Sequence, residues 1–164
     1  MMHKGLLNLD VSRLSKDEPE TLQAQAVAAI VLALGSNYQA EYYLPQVHQQ
    51  LATLGRITSS SALQNPDFTS TLQQPKPDYI NQCVYLLLTV PMTLQQLQHT
   101  FKAFEKDCHR CRQTTPTAIR QVSMDIDILL IRLNLSQEWI VMADRYPFKA
   151  HENVGIEELV ETGL

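Results

Sequence analysis

A chain of 164 residues, 45% hydrophobic and 18% charged, is long enough to bury one core without disulfides or a structural metal. Its composition excludes collagen-like, mucin-like and extended disordered architectures. A formal net charge of -4 and a pI near 5.7 argue against nucleic-acid binding by bulk electrostatics, so any phosphate site must be local. The longest apolar run, 26–34, is about half of the roughly 20 residues a spanning helix needs, and no charged-then-apolar leader precedes it, so neither membrane nor secretion is expected.

Residues 1–24 mix charged and small polar groups around Lys16-Asp17-Glu18-Pro19-Glu20 without a sustained period. They are expected to form a flexible N-terminal extension ahead of a single domain over 25–164. The run from Val27 to Leu34, closed by Gly35-Ser36-Asn37, predicts a buried strand ending in a tight turn. Leu44, Val47, Leu51 and Leu54 then recur at helical steps, with Pro45 suited to a first turn and Gly55 to the stop. A short Ser-rich strand is expected from Ile57 to Leu63, and a long loop over 64–76, where Pro66 and Pro75, with Pro77 just beyond, oppose regular structure.

From Tyr79 to Val90 the side chains alternate between two faces, Tyr79, Asn81 and Cys83 on one and Ile80, Gln82 and Val84 on the other, which predicts a strand. Thr93 with Gln96 forms a capping-box pattern ahead of the stripe Leu94, Leu97, Phe101 and Phe104, and the helix is expected to end near Asp107. A basic, acid-free loop over 108–122 carries Arg110, Arg112 and Arg120, and a last strand of period two runs from Met124 to Ile131. The order strand, helix, strand, strand, helix, strand predicts an α+β fold of the ferredoxin-like (βαββαβ) kind, an antiparallel sheet with helices on one face and the other face open to a ligand.

Chemistry concentrates near that last strand. Asp125 and Asp127 sit two apart, so both carboxylates project to one side with Cα atoms roughly 6.5 Å apart. Two neighbouring carboxylates in an apolar strand raise each other's pKa and lose hydration, a cost that a hard cation such as Mg²⁺ removes. Exposure of both acids on a solvated face is the bland alternative, weakened by the arginines just upstream, which suit a metal-bound polyphosphate. Tyr79 and Asn81 could grip a flat heterocycle, although an aromatic and an amide satisfied locally are commoner. Cys83, Cys108 and Cys111 fit a reducing compartment, hence the cytoplasm. The C-x-x-C of Cys108 and Cys111 has no second pair and reads as incidental.

These residues resemble the hydroxymethyl-dihydropterin pyrophosphokinase family over residues 27 to about 131. Leu32-Ala33-Leu34-Gly35-Ser36-Asn37 is similar to its opening A-L/I-G-S-N, Ser60-Ser61 with Asn65-Pro66 to its S-S-x-x-x-T-P, and Pro77-Asp78-Tyr79-Ile80-Asn81 to its P-x-Y/F-x-N. Glu105 with Arg110 and Arg112 resembles I-E-x-x-x-G-R-x-R, and Met124-Asp125-Ile126-Asp127-Ile128-Leu129 resembles L-D-x-D-I-L. A later motif is met in part by Asp144-Arg145-Tyr146-Pro147 and His151-Glu152-Asn153.

The resemblance implies transfer of pyrophosphate from ATP to the hydroxymethyl group of the reduced pterin, in folate biosynthesis. It also implies two Mg²⁺ ions on Asp125 and Asp127, with Arg110 and Arg112 as catalytic partners of the two acids. The pterin side would be formed by Asn65, Pro66, Phe68, Tyr79 and Asn81, and the nucleotide side by Glu105, Arg110, Arg112, Arg120, Arg145 and Tyr146. A monomer or weak dimer is expected. Two other readings stand beside it: a relative that binds nucleotide or pterin without turnover, and an interaction domain whose acids and arginines are decoration.

Overall fold

A computed structural model describes residues 10–66, 70–73, 75–109 and 121–162 of the chain. The strands are β1 (Ser15–Asp17), β2 (Ala26–Ser36), β3 (Gly55–Ser59), β4 (Leu63–Asn65), β5 (Tyr79–Thr93), β6 (Asp125–Leu133) and β7 (Trp139–Met142), and the helices α1 (Ala40–Ala52), α2 (Leu94–Asp107) and α3 (Ala150–Glu161). They form one sheet of order β1-β7-β6-β2-β5-β3, with β4 pairing β5 beside β3. Within it, β6-β2-β5-β3 is antiparallel throughout and is the split β-α-β arrangement that the element order predicted.

Local chemistry accounts for the element ends. The capping box is present: Thr93 Oγ1 accepts from the Gln96 amide at 3.1 Å, and Gln96 Oε1 accepts from the Thr93 amide at 2.9 Å. Asn37 stops β2 by a reciprocal pair, its amide donating to the Val122 carbonyl at 2.8 Å and its Oδ1 accepting from the Val122 amide at 2.6 Å. That pair ties the end of β2 to the approach to β6.

The sheet is covered on both faces. Val47 and Leu51 of α1 and Leu97 and Phe101 of α2 pack on Leu32, Leu34, Val84 and Leu86, and Ile156 and Leu159 of α3 pack on Val31, Ala33 and Tyr85 from the other side. The expectation of helices on one face alone is therefore corrected. Its cause lies in α3, whose inward positions Glu152, Gly155, Ile156 and Leu159 keep helical spacing while two of them are not large apolar residues, which erases the sequence signal.

Other boundaries differ. Helix α1 starts five residues before Pro45, after Gln39 in the left-handed region (φ 52°), because Ala40 and Tyr43 are already buried on the sheet; Pro45 lies inside the helix. Gly55 opens β3 rather than closing the helix. The strand expected from Ile57 to Leu63 is split, because Ser60 turns its hydroxyl into the sheet and accepts from the Cys83 amide at 2.9 Å. Part of the expected extension is ordered into the fold: β1 pairs in parallel with β7, and Leu22 joins the core. Three-residue strands are too short to show a period.

Helix α3 approaches β5 through its glycine. A Cβ on Gly155 would lie 2.5 Å from Cys83 Sγ and 2.8 Å from Cys83 Cβ. Gly155→Ala is expected to lower stability in denaturant titrations by about 1–2 kcal/mol, the overpacking strain exceeding the roughly 1 kcal/mol gain in helix propensity. Adding Cys83→Ala should recover only the part of the loss that Sγ causes, since Cys83 Cβ would still lie 2.8 Å from the new methyl, and the two changes should be non-additive.

Candidate active site

Four strands set one row of side chains across the end of the sheet. Asn65 of β4 lies opposite Tyr79 of β5, Asn81 opposite Gly35 of β2, Gly35 opposite Asp125 of β6, and Ala33 opposite Asp127. Period-two alternation puts these residues on the face that α3 covers. They wall a cavity of about 690 Å³ completed by Lys149, which caps α3, and by His151 and Glu152 of its first turn. Gly35 forms its floor, where a Cβ would sit 3.2 Å from Asn81 Oδ1. Asn65 adds a buried Nδ2 with no acceptor among the described residues.

A second hollow of about 500 Å³ adjoins the first and shares Asp125, Asp127 and Lys149 with it. It opens where β6 continues beyond β7, which pairs only with Leu130, Ile131 and Arg132. Gln98, Lys102 and Glu105 of α2 line it on one side, and Asp144 and Arg145 on the other. Glu105, 6% exposed, accepts from the Ile126 amide at 2.8 Å, so α2 sets the height of β6 and of the two aspartates on it.

Asp127 is held against its solution chemistry. Burial pushes its carboxyl up to about 6, opposed by the Arg145 guanidinium and reinforced by Asp125, Glu105 and Glu152. Arg145 Nη2 donates to Asp127 Oδ1 at 2.6 Å. Two carboxylates on one strand face, one of them resisting ionisation, form a donor set suited to a hard dication. Among the described residues no cluster of three or more His, Cys, Asp or Glu is placed to hold a metal. An ion on Asp125 and Asp127 would therefore complete its shell with water and ligand oxygens, as Mg²⁺ does.

The structure thus brings Asn65, Pro66, Tyr79, Asn81, Asp125 and Asp127 to one cavity and Glu105 and Arg145 to the hollow beside it. Tyr146 stands apart from both linings: Lys16 Nζ lies 4.6 Å from its ring centroid and Phe148 meets it edge-on at 5.8 Å. Phe68, Arg110, Arg112, Arg120 and Cys111 fall outside the described residues. Cys108 is a core residue of the α2 side whose thiol burial pushes up to about 11, a state far from a thiolate ligand.

Lys149, which lines both spaces, has no motif in the sequence that marks it, and His151 and Glu152 stand there only in a partial match to the family's later motif. Glu152 following Lys149 by three residues, the spacing of a helix N-terminus, was the available signal.

Fold and site define an α+β domain of ferredoxin-like order, with paired carboxylates between a cavity of about 690 Å³ and a hollow lined by Lys102, Arg145 and Lys149. The family model for 7,8-dihydro-6-hydroxymethylpterin-pyrophosphokinase matches residues 31–146, and the chain belongs to that family. Membership supports a pyrophosphokinase function in folate biosynthesis. No curated protein matches the chain. No described helix is long and apolar enough to cross a membrane.

Proposed function

We propose that this chain transfers pyrophosphate from ATP to the hydroxymethyl group of 6-hydroxymethyl-7,8-dihydropterin, giving AMP and the pterin diphosphate. The observation that carries the reading is the row Asn65, Tyr79, Asn81, Gly35, Asp125, which puts groups able to hold a flat heterocycle directly beside two carboxylates. The pterin lies in the larger cavity, with Asn81 hydrogen-bonding the ring and Tyr79 lining its face. The nucleotide lies in the adjoining hollow, where Lys102, Arg145 and Lys149 offset polyphosphate charge.

In the reaction the pterin hydroxyl oxygen bonds to the β-phosphorus as that phosphorus separates from the oxygen retained by AMP, and the hydroxyl proton is released to water. Asp125 and Asp127 would hold two Mg²⁺ ions, which when bound supply charge neutralisation between the phosphates. Arg110 and Arg112 are assigned to the charge that grows on the leaving oxygen. The protein's work is positioning, since the transfer needs the hydroxyl, the β-phosphorus and the leaving oxygen in line.

The test is AMP formation from ATP, expected only when Mg²⁺ and the authentic pterin are both present; no AMP above background overturns the proposal. One observation favours binding without turnover instead: Arg145 already occupies an oxygen of Asp127. Calorimetric heat from a magnesium–ATP analogue complex in a chain that forms no AMP would decide for that reading.

A further inference from the structure

Glu152 is 5% exposed, an unusual place for a carboxylate, and it lines the cavity that also holds Tyr79, Asn81 and Asn65. Its role at the helix N-terminus accounts for one oxygen only: Oε1 accepts from the Lys149 amide at 2.9 Å. Among the described residues Oε2 has no protein donor. N-terminal capping works equally well on a solvated helix surface, so it explains neither the burial nor the cavity position.

The packing beneath fixes where this carboxylate sits. One turn further along α3, Gly155 rests on Cys83, and Cys83 Sγ contacts the Glu152 carbonyl at 3.7 Å. Cys83 is two residues along β5 from Asn81 and pairs with Ala33, a lining residue of the cavity. Glu152 thus stands on the α3 side of the space whose sheet side carries Asn81.

Resting on the pterin reading above, we propose that Glu152 is a specificity residue for the heterocycle, its Oε2 accepting from the exocyclic amino group and neighbouring ring N–H of a 2-amino-4-oxopyrimidine edge. A carboxylate offers only acceptors, and such an edge offers two adjacent donors, so the match is charge-assisted. Asn81, with one donor and one acceptor, would read a different edge of the same ring. A heterocycle with oxygen in place of the amino group would set acceptor against acceptor and be refused, because a buried carboxylate left without a donor is costly.

The experiment is fluorescence titration of the full chain, with and without Glu152→Gln, using 6-hydroxymethylpterin and 6-hydroxymethyllumazine, which carries oxygen at the 2-position. Glutamine keeps an acceptor for the Lys149 amide and replaces the second oxygen by an NH₂ donor. The unaltered chain is expected to prefer the pterin by about tenfold or more, and Glu152→Gln to lose about tenfold on the pterin while holding or gaining on the lumazine. Equal pterin affinity in both proteins overturns the assignment and leaves the pterin reading standing. Should Glu152→Gln fail to fold, equal affinity of the unaltered chain for the two heterocycles overturns it as well. Binding of neither heterocycle by the unaltered chain sinks the pterin reading, and this one with it.

Discussion

Replacing Asp125 and Asp127 together by asparagine will reduce AMP formation roughly a thousandfold or more, to the background of the assay. Asparagine keeps the size of each side chain and removes the charge that could hold a divalent cation against polyphosphate. The strand itself should survive the change. Its main-chain contacts to β2 run from Gly35–Asp125 to Val27–Leu133, and Ile126, Leu129, Leu130 and Ile131 are buried independently of the two acids. Pterin binding should fall far less than turnover, because Tyr79, Asn81 and Asn65 are untouched. Activity within tenfold of the unaltered chain, in a folded variant, would remove the aspartates from the mechanism.

A second expected result concerns stability and pH in the magnesium-free protein. The Asp127 carboxyl is raised from 3.8 to about 6, so the folded chain binds this proton more tightly than the unfolded chain does. Below about pH 3 the group is protonated in both states and contributes nothing. As pH rises toward 6 the unfolded state ionises first, and the folded state loses stability by up to about 3 kcal/mol, a loss complete above pH 6. Partial exposure of the side chain, 28%, makes that figure an upper bound. Asp127→Asn mimics the neutral form, so denaturant titrations should find it more stable than the unaltered chain at pH 8 and indistinguishable near pH 3. A variant less stable at pH 8 would mean that the Arg145 contact outweighs the desolvation of Asp127.

Particular residues show where pattern reaches and where it stops. The alternation of β5, the Thr93–Gln96 cap and the Asp125–Asp127 spacing are local properties, set by strand and helix periods, and each stands in the structure where its residues imply. Pro45 misleads because burial of Tyr43 on the sheet outweighs the single hydrogen bond a proline removes. Helix α3 is hidden because Glu152 and Gly155 take inward positions for reasons outside the helix: one lines a cavity, the other lets Cys83 approach. Arg145 reaches Asp127 across 18 residues of chain, a pairing that no spacing rule contains.

The amino-acid order alone determined the central order β2, α1, β3, β5, α2, β6, the family resemblance and the aspartate pair, because backbone periods and capping are written within a few neighbouring residues. Only the tertiary structure decided that Asn65, Asn81, Gly35 and Asp125 stand side by side, that α3 closes the cavity over them, and that Asp127 is hard to ionise. Register, burial and dielectric environment depend on segments far apart in the chain, and they exist only once those segments pack.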